Sequence, residues 1–284
     1  MLSSCVASVI DQEVRSVVVV DNASSDHSLD ELREKFSSAP WLQIIKNNTN
    51  LGFAKACNLG ARATNGRYLL FLNPDSTLEA GALKCLIANL QSHDNIAMVG
   101  GFLCGSDGLE QPGGRRIFPT PRRALIRALG LSRLGKVFPE LFEDFLLHRE
   151  PLPPSPVQVE AISGACMLVK REVVKTVGLW DEGYFLHCED LDWCMRFRQA
   201  GWRIMFVPEA KVVHHKGGCS HSRPIFVEWH KHRGMMRFYR KFFRHQYPGA
   251  LMWLVALGVW VRFALVATGF VAKRGRRGLR VGRG

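Results

Sequence analysis

Short apolar runs alternate with amphipathic segments over the first third of the chain. Four runs are rich in β-branched or aromatic residues and have the length of strands: 16–21, 42–45, 68–72 and 97–103. The first, Ser16–Asp21, holds four consecutive valines, which predicts a strand buried on both faces. The intervening segments have helical spacing: 28–36, 53–63 and 79–91. This alternation predicts an α/β fold with a mostly parallel, doubly wound sheet, in which ligands bind beyond the carboxyl ends of the strands.

The pattern becomes less regular in the middle of the chain. Residues 105–156 are rich in Pro and Gly, and we interpret them as a variable insert with a linker. Beyond the insert, the pattern predicts one or two strands at 157–170, short helices at 172–177 and 190–200, a strand at 203–207 and a basic helix at 228–244.

One long apolar stretch follows. Gly249–Ala272 carries a single charge, Arg262, and is long enough to span a bilayer. A helix lying in the membrane interface fits as well, since Arg262 accompanies Trp253 and Trp260. The third alternative is a buried C-terminal helix. We expect membrane association, and the sequence leaves open whether this helix spans or lies in the interface.

The formal net charge of +13 suggests either a nucleic-acid binder or a membrane-surface protein. Residues 211–284 carry 16 Lys and Arg and one acid, a net +15, whereas residues 1–210 carry a net −2. The basic residues flank the apolar stretch, and the sequence contains no RRM, OB or helix-turn-helix signature. We therefore expect a membrane surface, and no nucleic acid, as the partner. The eight cysteines include no C-x-x-C pair, so reduced thiols in a cytosolic setting are expected.

Two acids follow predicted strands and are candidates for ligand binding. Asp21, in V-D-N-A-S-S-D, can accept hydrogen bonds from a base or a ribose, although a helix-capping turn explains the pattern equally well. Asp75, in N-P-D, can hold Mg²⁺ or Mn²⁺ with a diphosphate, because such ions need only one or two protein carboxylates. Taken alone, this pattern favours an ordinary N-P-D turn.

Two further clusters lie in the second half of the chain. Glu189, Asp190 and Asp192 come at the start of a predicted helix, where acids stabilise the helix dipole; alternatively, one of them is a general base. His214 and His215 precede two glycines and can reach a metal, whereas solvated basic surface is the simpler explanation.

Taken in order, these motifs closely resemble those of family 2 glycosyltransferases of the GT-A fold. The nearest branch is the rhamnosyltransferase-like enzymes of bacterial polysaccharide assembly. The matching motifs are V-D-N-A-S-S-D, N-x-G-F-A-x-x-x-N (50–58), N-P-D, S-G-A-C-M-L-V-K-R-E (163–172), E-D-x-D-x-C-x-R-x-R-x-x-G-W (189–202) and H-x-G-G-x-S (215–220). The resemblance runs from Leu2 to Arg244 and is weakest in the insert.

The resemblance implies a role for each matching residue. It implies Asp190 as the catalytic base with Glu189 as its backup, and Asp75 with His215 as ligands of a divalent cation, Mg²⁺ or Mn²⁺. His214 is the second choice for the histidine ligand. The implied donor-binding residues are Asp21, Asn22, Asn50, Gly52, Asn58, Asn73, Gly164 and Ala165.

The resemblance also implies an inverting reaction. Asp190 deprotonates an acceptor hydroxyl, which displaces a nucleoside diphosphate from the donor sugar. The donor is a nucleotide sugar, with dTDP-rhamnose favoured by family analogy, and the acceptor is a lipid-linked or polysaccharide hydroxyl. Because nucleotide sugars are cytosolic, we expect the protein at the cytoplasmic face of the cell membrane, the inner membrane of a bacterium.

One departure from the family concerns the start of the sequence. Family members open with an apolar strand before the helix that matches Leu2–Gln12, and this sequence starts within that helix. We expect a truncated chain or a variant with impaired donor binding, with exposed sheet edges and poor solubility. A non-catalytic nucleotide-sugar-binding protein therefore remains an alternative. Within the sequence we expect a GT-A domain over 1–227, and a basic helix, the apolar helix and a basic tail over 228–284.

Overall fold

The computed structural model describes residues 1–12, 14–128, 147–215 and 223–281, which form two compact units. The first unit takes in residues 1–118, 147–185 and 189–215, and the second takes in 119–128, 186–188 and 223–281. The predicted domain boundary after residue 227 thus falls inside the second unit. Residues 129–146 of the insert and the H-x-G-G-x-S residues after His215 lie outside the described residues.

The predicted helices and strands are present, with small shifts of their ends. The helices are α1 (Leu2–Ile10), α2 (Ser28–Lys35), α3 (Phe53–Arg62), α4 (Ala82–Gln91), α5 (Pro121–Ala128), α6 (Arg171–Val177), α7 (Glu189–Gln199), α8 (Pro224–Phe242) and α9 (Gly249–Val281). The strands are β1 (Val17–Asp21), β2 (Leu42–Lys46), β3 (Tyr68–Leu72), β4 (Ser76–Leu78), β5 (Ile96–Cys104), β6 (Arg115–Arg116), β7 (Val157–Gln158), β8 (Ala161–Ile162), β9 (Cys166–Lys170) and β10 (Arg203–His214). The pattern did not predict β4 and β6, residues 157–170 form three strands where one or two were predicted, and β10 extends well beyond the predicted strand.

The central sheet of the first unit is mixed rather than mostly parallel. Its strand order is β3-β9-β5-β10-β4, with β7 paired to β10. β5 and β10 run parallel, whereas β9 runs antiparallel to both β3 and β5. β3 and β5 therefore point the same way, as the alternation predicted, but β9 lies between them. The connection from β5 to β9 spans residues 105–165 and is long enough for β9 to return antiparallel to β5.

β1 and β2 form a separate parallel sheet of two strands, in which Val17 lies opposite Leu42 and Asp21 opposite Lys46. The prediction that β1 is buried on both faces is wrong, because its four valines are only half-buried and Asp21 alone is buried. The physical reason is that, among the described strands, β1 has a single neighbour, so nothing extends the sheet at its other edge.

Within the described part of the first unit, two apolar clusters pack its elements together. The larger lies between α4 and the central sheet and includes Leu86, Leu90, Val99 and Leu168. The smaller joins α1 and α2 through Val6, Leu29 and Leu32. Val17 of β1 packs against both clusters. This packing ties the amino end of the small sheet to the core of the central sheet, and Asp21 lies at the other end of β1.

The second unit contains α9. Its segment Gly249–Ala272 has a mean hydropathy of 2.1 and is, by length and composition, the one helix of the described chain that could cross a membrane. Only 6% of its most apolar window is buried inside the protein. A buried core helix, one of the three alternatives for this stretch, does not fit that exposure.

Candidate active site

Asp21 ends β1 with one carboxylate oxygen engaged and the other open. Its side chain is 5% exposed. Oδ1 accepts a hydrogen bond from the Ser24 backbone N–H at 3.0 Å. This bond closes a turn, but it is not the helix cap that the pattern allowed, because α2 begins at Ser28 with His27 as its N-cap. Oδ2 is buried and has no hydrogen-bond partner among the described residues. A buried oxygen without a donor is costly, so Oδ2 is suited to accept from a ligand such as a base or a ribose hydroxyl.

The loop before α3 is fastened to the end of β1 by side-chain amides. Asn22 donates through Nδ2 to the Gly52 carbonyl at 3.0 Å, and its Oδ1 accepts from Asn47 Nδ2 at 2.9 Å. Asn50 Oδ1 accepts from the Gly52 N–H at 2.9 Å. Gly52 has a φ of +88°, and a Cβ there would lie 2.6 Å from the Phe185 carbonyl oxygen. Only glycine therefore fits this position without a shift of the backbone.

The side-chain amide of Asn58 is fully hydrogen-bonded to other residues of the protein. The residue is 1% exposed on α3. Its Nδ2 donates to the Trp180 carbonyl and to Glu182 Oε1, each at 2.9 Å, and its Oδ1 accepts from the Trp180 N–H at 3.0 Å. Both amide hydrogens are therefore used, so the geometry supports a positioning role for Asn58 rather than the direct donor contact implied by the resemblance.

The N-P-D turn after β3 is joined to the segment before β9. The Asn73 N–H donates to the Ala165 carbonyl at 3.0 Å. Asn73 Oδ1 is buried and has no partner among the described residues, so it too can accept from a ligand. Asp75 is 7% exposed, and its carbonyl accepts from the His215 N–H at 2.8 Å. The turn therefore brings β3, β9 and the end of β10 together.

His214, rather than His215, faces Asp75. His214 Nε2 lies 3.3 Å from Asp75 Oδ1, whereas the side chain of His215 is exposed. On the other side of the ring, His214 Nδ1 lies 2.8 Å from Gln111 Oε1, and Gln111 Nε2 donates to the His214 carbonyl. The bond from Gln111 Nε2 to the His214 carbonyl fixes which way the Gln111 amide points, so its oxygen Oε1 faces the ring. Nδ1 is therefore the donor to Oε1, and the Nε2 lone pair of a neutral ring points at Asp75.

This pair fits the divalent cation that the resemblance implies. Adjacent ligands in an octahedral shell of about 2.1 Å radius lie about 3 Å apart, close to the 3.3 Å between Asp75 Oδ1 and His214 Nε2. A histidine whose other nitrogen donates to an oxygen is the usual metal ligand. The described residues contain no group of three or more candidate ligands. Such sparse protein ligation is typical of sites where Mg²⁺ is shared with substrate phosphates.

Asp190 lies at the start of α7 with its carboxylate held from two sides. Oδ2 accepts from Arg116 Nη2 at 2.5 Å and from the Gly164 N–H at 3.3 Å. Its side chain is 14% exposed, so a ligand can reach it. Sequence reasoning missed Arg116, although it stands in a G-G-R-R motif followed by an apolar pair. Arg116 Nη2 also donates to the Ile162 carbonyl at 2.9 Å, which fixes the guanidinium against β8.

Glu189, the backup base, is buried instead. It is 6% exposed, and Oε2 is buried without a partner among the described residues. Burial, reinforced by the neighbouring charge of Asp190, raises the pKa of Glu189 to about 8. The third acid of the motif, Asp192, forms an ion pair with Arg196 within α7 at 2.8 Å. Asp190 is thus the acid of this motif that combines partial accessibility with a fixed orientation.

Gly164 and Ala165 connect the two acidic sites. Gly164 donates to Asp190, and the next residue, Ala165, accepts from Asn73, which lies two positions before Asp75. A Cβ at Gly164 would meet Phe53, Trp180 and Asp190 at 3.5–3.6 Å, which is ordinary contact. The structure therefore brings Asn73, Asp75, Gly164, Ala165 and Asp190 into one chain of contacts.

Comparison with known proteins identifies the family. The family model "Glycosyl transferase family 2" matches residues 1–178, and "Glycosyltransferase like family 2" matches residues 147–236. The N-acetylglucosaminyl-diphospho-decaprenol L-rhamnosyltransferase of Mycobacterium tuberculosis is 29% identical over 220 residues, covering 74% of this chain and 69% of that protein. The rhamnosyltransferase WbbL of Escherichia coli is 26% identical over 220 residues, covering 68% of this chain and 75% of that protein.

Solved structures confirm the predicted GT-A fold. The mannosyltransferase of Pyrobaculum calidifontis in complex with GDP-Man and Mn²⁺ aligns with a TM-score of 0.56 at 14% identity, covering 98% of this chain and 76% of that one. GalNAc-T7 with UDP, GalNAc and Mn²⁺ aligns with a TM-score of 0.54 at 18% identity, covering 74% of this chain and 40% of that one. At these identities the likeness shows the fold alone. Together with the family match over residues 1–178, it establishes that the chain belongs to glycosyl transferase family 2.

Proposed function

We propose that this protein is an inverting glycosyltransferase of cell-surface polysaccharide biosynthesis. The donor is a nucleoside-diphosphate sugar, with dTDP-rhamnose the first candidate, and the acceptor is a hydroxyl of a lipid-linked or polysaccharide glycan. Support comes from relatives named as rhamnosyltransferases, among them the dTDP-rhamnosyl transferase RfbF of Shigella flexneri, at 26% identity over 232 residues. The relative from M. tuberculosis is named for a lipid-linked acceptor.

One observation carries the proposal: the carboxylate of Asp190 is partly accessible, oriented, and linked through Gly164 and Ala165 to the Asn73–Asp75 turn. A general base needs to be held within hydrogen-bond reach of the hydroxyl that it deprotonates. Arg116 and the Gly164 N–H hold Oδ2 in place. The acceptor oxygen loses its proton to Asp190 as it attacks the anomeric carbon, and the nucleoside diphosphate leaves from the opposite face.

The remaining residues bind the donor. We propose that Asp21 Oδ2 and Asn73 Oδ1, both buried without partners among the described residues, accept hydrogen bonds from the donor nucleotide or sugar. Asn22, Asn50 and Gly52 shape the loop beside Asp21. Asp75 and His214 would hold Mg²⁺ or Mn²⁺. When bound, such an ion neutralises charge that develops on the diphosphate leaving group.

The test is a donor screen on the full chain with wild-type and Asp190→Asn protein. Release of nucleoside diphosphate and sugar transfer to a lipid-linked acceptor are measured over a panel of nucleotide sugars. We expect release with one donor class, loss of turnover by about a hundredfold or more in D190N, and unchanged nucleotide affinity. Asp94→Asn, at an exposed acid, is the matched control. Normal turnover in D190N would remove Asp190 from the base role.

A non-catalytic nucleotide-sugar-binding protein is the second candidate. The separation of β1 and β2 from the central sheet favours it, because Asp21 stands on the small sheet while Asp75 follows β3 of the central one. Nucleotide binding without transfer to any acceptor in the same screen would establish this alternative. Sugar transfer that depends on Asp190 would exclude it.

We also propose that the protein works at the cytoplasmic face of the cell membrane. The apolar, exposed α9 and the net +15 of residues 211–284 support this location. A lipid-linked acceptor would be presented at the same surface. Complete recovery of the protein in the soluble fraction of lysed cells would contradict the location and leave the proposed chemistry untouched.

A further inference from the structure

The exposed side of α9 is an almost continuous apolar face. Its largest side chains are highly exposed: Trp253 by 78%, Leu257 by 61% and Leu265 by 68%. Leu254 and Val261 belong to the same face and are exposed by 56% and 48%. These positions recur every three or four residues, so they form one side of the helix. An apolar face of this length that is exposed on the surface of a protein marks an interaction site.

The opposite side of α9 is covered by α8. The ring of Trp229 lies 5.1 Å from that of Trp260 and 5.5 Å from that of Phe263, and His232 lies 5.5 Å from Phe263. Trp260 and Phe263 stand near the middle of the apolar stretch Gly249–Ala272. α8 is therefore packed beside the centre of that stretch, not beside one of its ends.

Charged groups accompany α8 to this central position. Glu228 and Lys231 form an ion pair at 3.3 Å, within two residues of Trp229, and His232 Nδ1 lies 2.7 Å from the Glu228 carbonyl. If α9 crossed a bilayer, its middle would lie at the bilayer centre and α8 would carry these groups there. Ionisable side chains at that depth strongly oppose insertion.

We propose that α9 lies in the plane of an anionic membrane surface, with its Trp253–Leu257–Leu265 face in the boundary between headgroups and acyl chains. α8 then stays on the headgroup side, where its charges remain hydrated. This orientation rests on the membrane location proposed above and specifies how that location is achieved. Anionic lipid is the fitting partner, because Arg233, Arg240 and Arg244 are exposed on and just after α8, and six further basic residues follow the apolar stretch in the sequence between Lys273 and Arg283.

Depth measurement separates an in-plane helix from a spanning one. Because the chain has eight cysteines, a spin label is attached to an unnatural keto amino acid placed singly at exposed positions 254, 257, 261 and 265. The full-length protein is bound to phosphatidylcholine vesicles containing phosphatidylglycerol, and depth is read from the accessibility of the label to oxygen and to a water-soluble nickel chelate. A label at position 109, an exposed leucine outside α8 and α9, is the aqueous control.

An in-plane helix gives the same shallow depth, about 5–10 Å below the headgroups, at all four positions. Positions 254 and 261 are separated by about 10 Å along a helix, so a spanning helix gives a depth that differs by that amount between them. A spanning profile overturns this inference and leaves the membrane location standing. Failure of the protein to bind the vesicles overturns both, and the donor screen still decides the proposed chemistry.

A charge placed on the face provides an independent test. Leu265→Asp and Leu109→Asp are matched, because the two leucines are exposed by 68% and 69% and only Leu265 lies on α9. We expect L265D to weaken partitioning into anionic vesicles by roughly tenfold or more, since it removes one apolar anchor and adds a negative charge. L109D should bind like the wild type. Both variants should keep donor hydrolysis in solution, and wild-type vesicle binding by L265D would overturn the inference.

Discussion

At the scale of single residues, the two adjacent histidines at the end of β10 illustrate how a single position decides a role. The motif pointed first to His215, but the end of β10 presents His214 to Asp75 and leaves His215 exposed. Successive side chains of a strand point to opposite faces, so only one of the two can face the site. The sequence alone therefore does not show which of the two histidine side chains faces Asp75.

This arrangement predicts opposite outcomes for the two alanine variants. His214→Ala should weaken Mn²⁺-dependent binding of the donor nucleotide by roughly tenfold or more, because it removes one of the two protein ligands that we propose. His215→Ala should bind as the wild type does. The measurement is calorimetric titration of nucleoside diphosphate with Mn²⁺ and with EDTA. Loss of metal dependence in H215A, with H214A unaffected, would restore the original assignment.

Glu189 should leave a signature in the pH dependence of stability. The pKa of Glu189 is about 8 in the folded protein, compared with an ordinary value of 4.5. Between these two pH values the folded state therefore keeps a proton that the unfolded state releases. Its contribution is fully present below pH 4.5 and is lost as the pH rises through about 8. The free energy of unfolding of the wild type should therefore fall across this window.

Glu189→Gln cannot titrate, so the Tm of E189Q should fall less than that of the wild type between these two pH values. Differential scanning fluorimetry from acidic to mildly alkaline buffer tests this, with Glu34→Gln, at an exposed acid of α2, as the control. Parallel curves for E189Q and the wild type would show that burial does not hold the proton on Glu189.

The sequence identified the candidate residues that stand in contiguous motifs, but not those that act from a distance. Asp21, Asn73, Asp75 and Asp190 each follow or begin a predicted element. Arg116 and Gln111 act on residues 74 and 103 positions away, which no local pattern encodes. Asn58 is the opposite case. It stands in a recognisable motif, but its side-chain NH₂ group donates both of its hydrogens to Trp180 and Glu182 and has none left for a ligand.

At the scale of elements, the loop before α3 depends on one glycine more than on any side chain. Gly52 and Gly81 both have positive φ, +88° and +79°, but a Cβ at Gly52 would lie 2.6 Å from a backbone oxygen whereas Gly81 has nothing within 4 Å. Gly81→Ala should therefore cost only the strain of a left-handed alanine, about 1 kcal/mol. Gly52→Ala adds a clash that only a backbone shift relieves, so its cost should exceed that of G81A by about 1–2 kcal/mol or more.

Urea unfolding compares these two variants, and nucleotide titration shows the consequence for the site. G52A should also weaken donor binding, because the displaced loop carries Asn50 and contacts Asn22. Equal destabilisation of G52A and G81A would mean that Phe185 moves freely and that the loop is not held there.

The elements themselves were predicted well, and their pairing was not. Local apolar spacing is enough to place β1, β2, β3 and β5 with their intervening helices, because each depends on neighbouring residues alone. The position of β9 between β3 and β5 depends on contacts across the fold, such as Leu70 opposite Leu168. For the same reason the burial of β1 could not be predicted from its valines: burial depends on whether a second strand lies beside it.

At the scale of the whole molecule, the two units are not contiguous in sequence. Residues 119–128 and 186–188 belong with the C-terminal helices, although the sequence places them inside the predicted catalytic domain. Composition revealed the basic region after residue 210 because charge is additive along the chain. The contribution of two separated segments to the same unit is a property of packing, which composition does not record.

The segregation of charge predicts how the protein distinguishes membranes from nucleic acid. Residues 211–284 carry a net +15 next to an exposed apolar face, whereas residues 1–210 carry a net −2. Vesicle binding should therefore have two components. The electrostatic component should require phosphatidylglycerol and weaken with salt as the Debye length shortens, and the apolar component should persist at high salt.

Duplex DNA offers only the electrostatic component, so DNA binding should vanish at high salt and show no sequence preference. Sedimentation with vesicles and filter binding with DNA over the same salt series measure both. Sequence-specific DNA binding that survives high salt would contradict the membrane assignment, because a phosphate backbone presents nothing for the apolar face of α9 to bury.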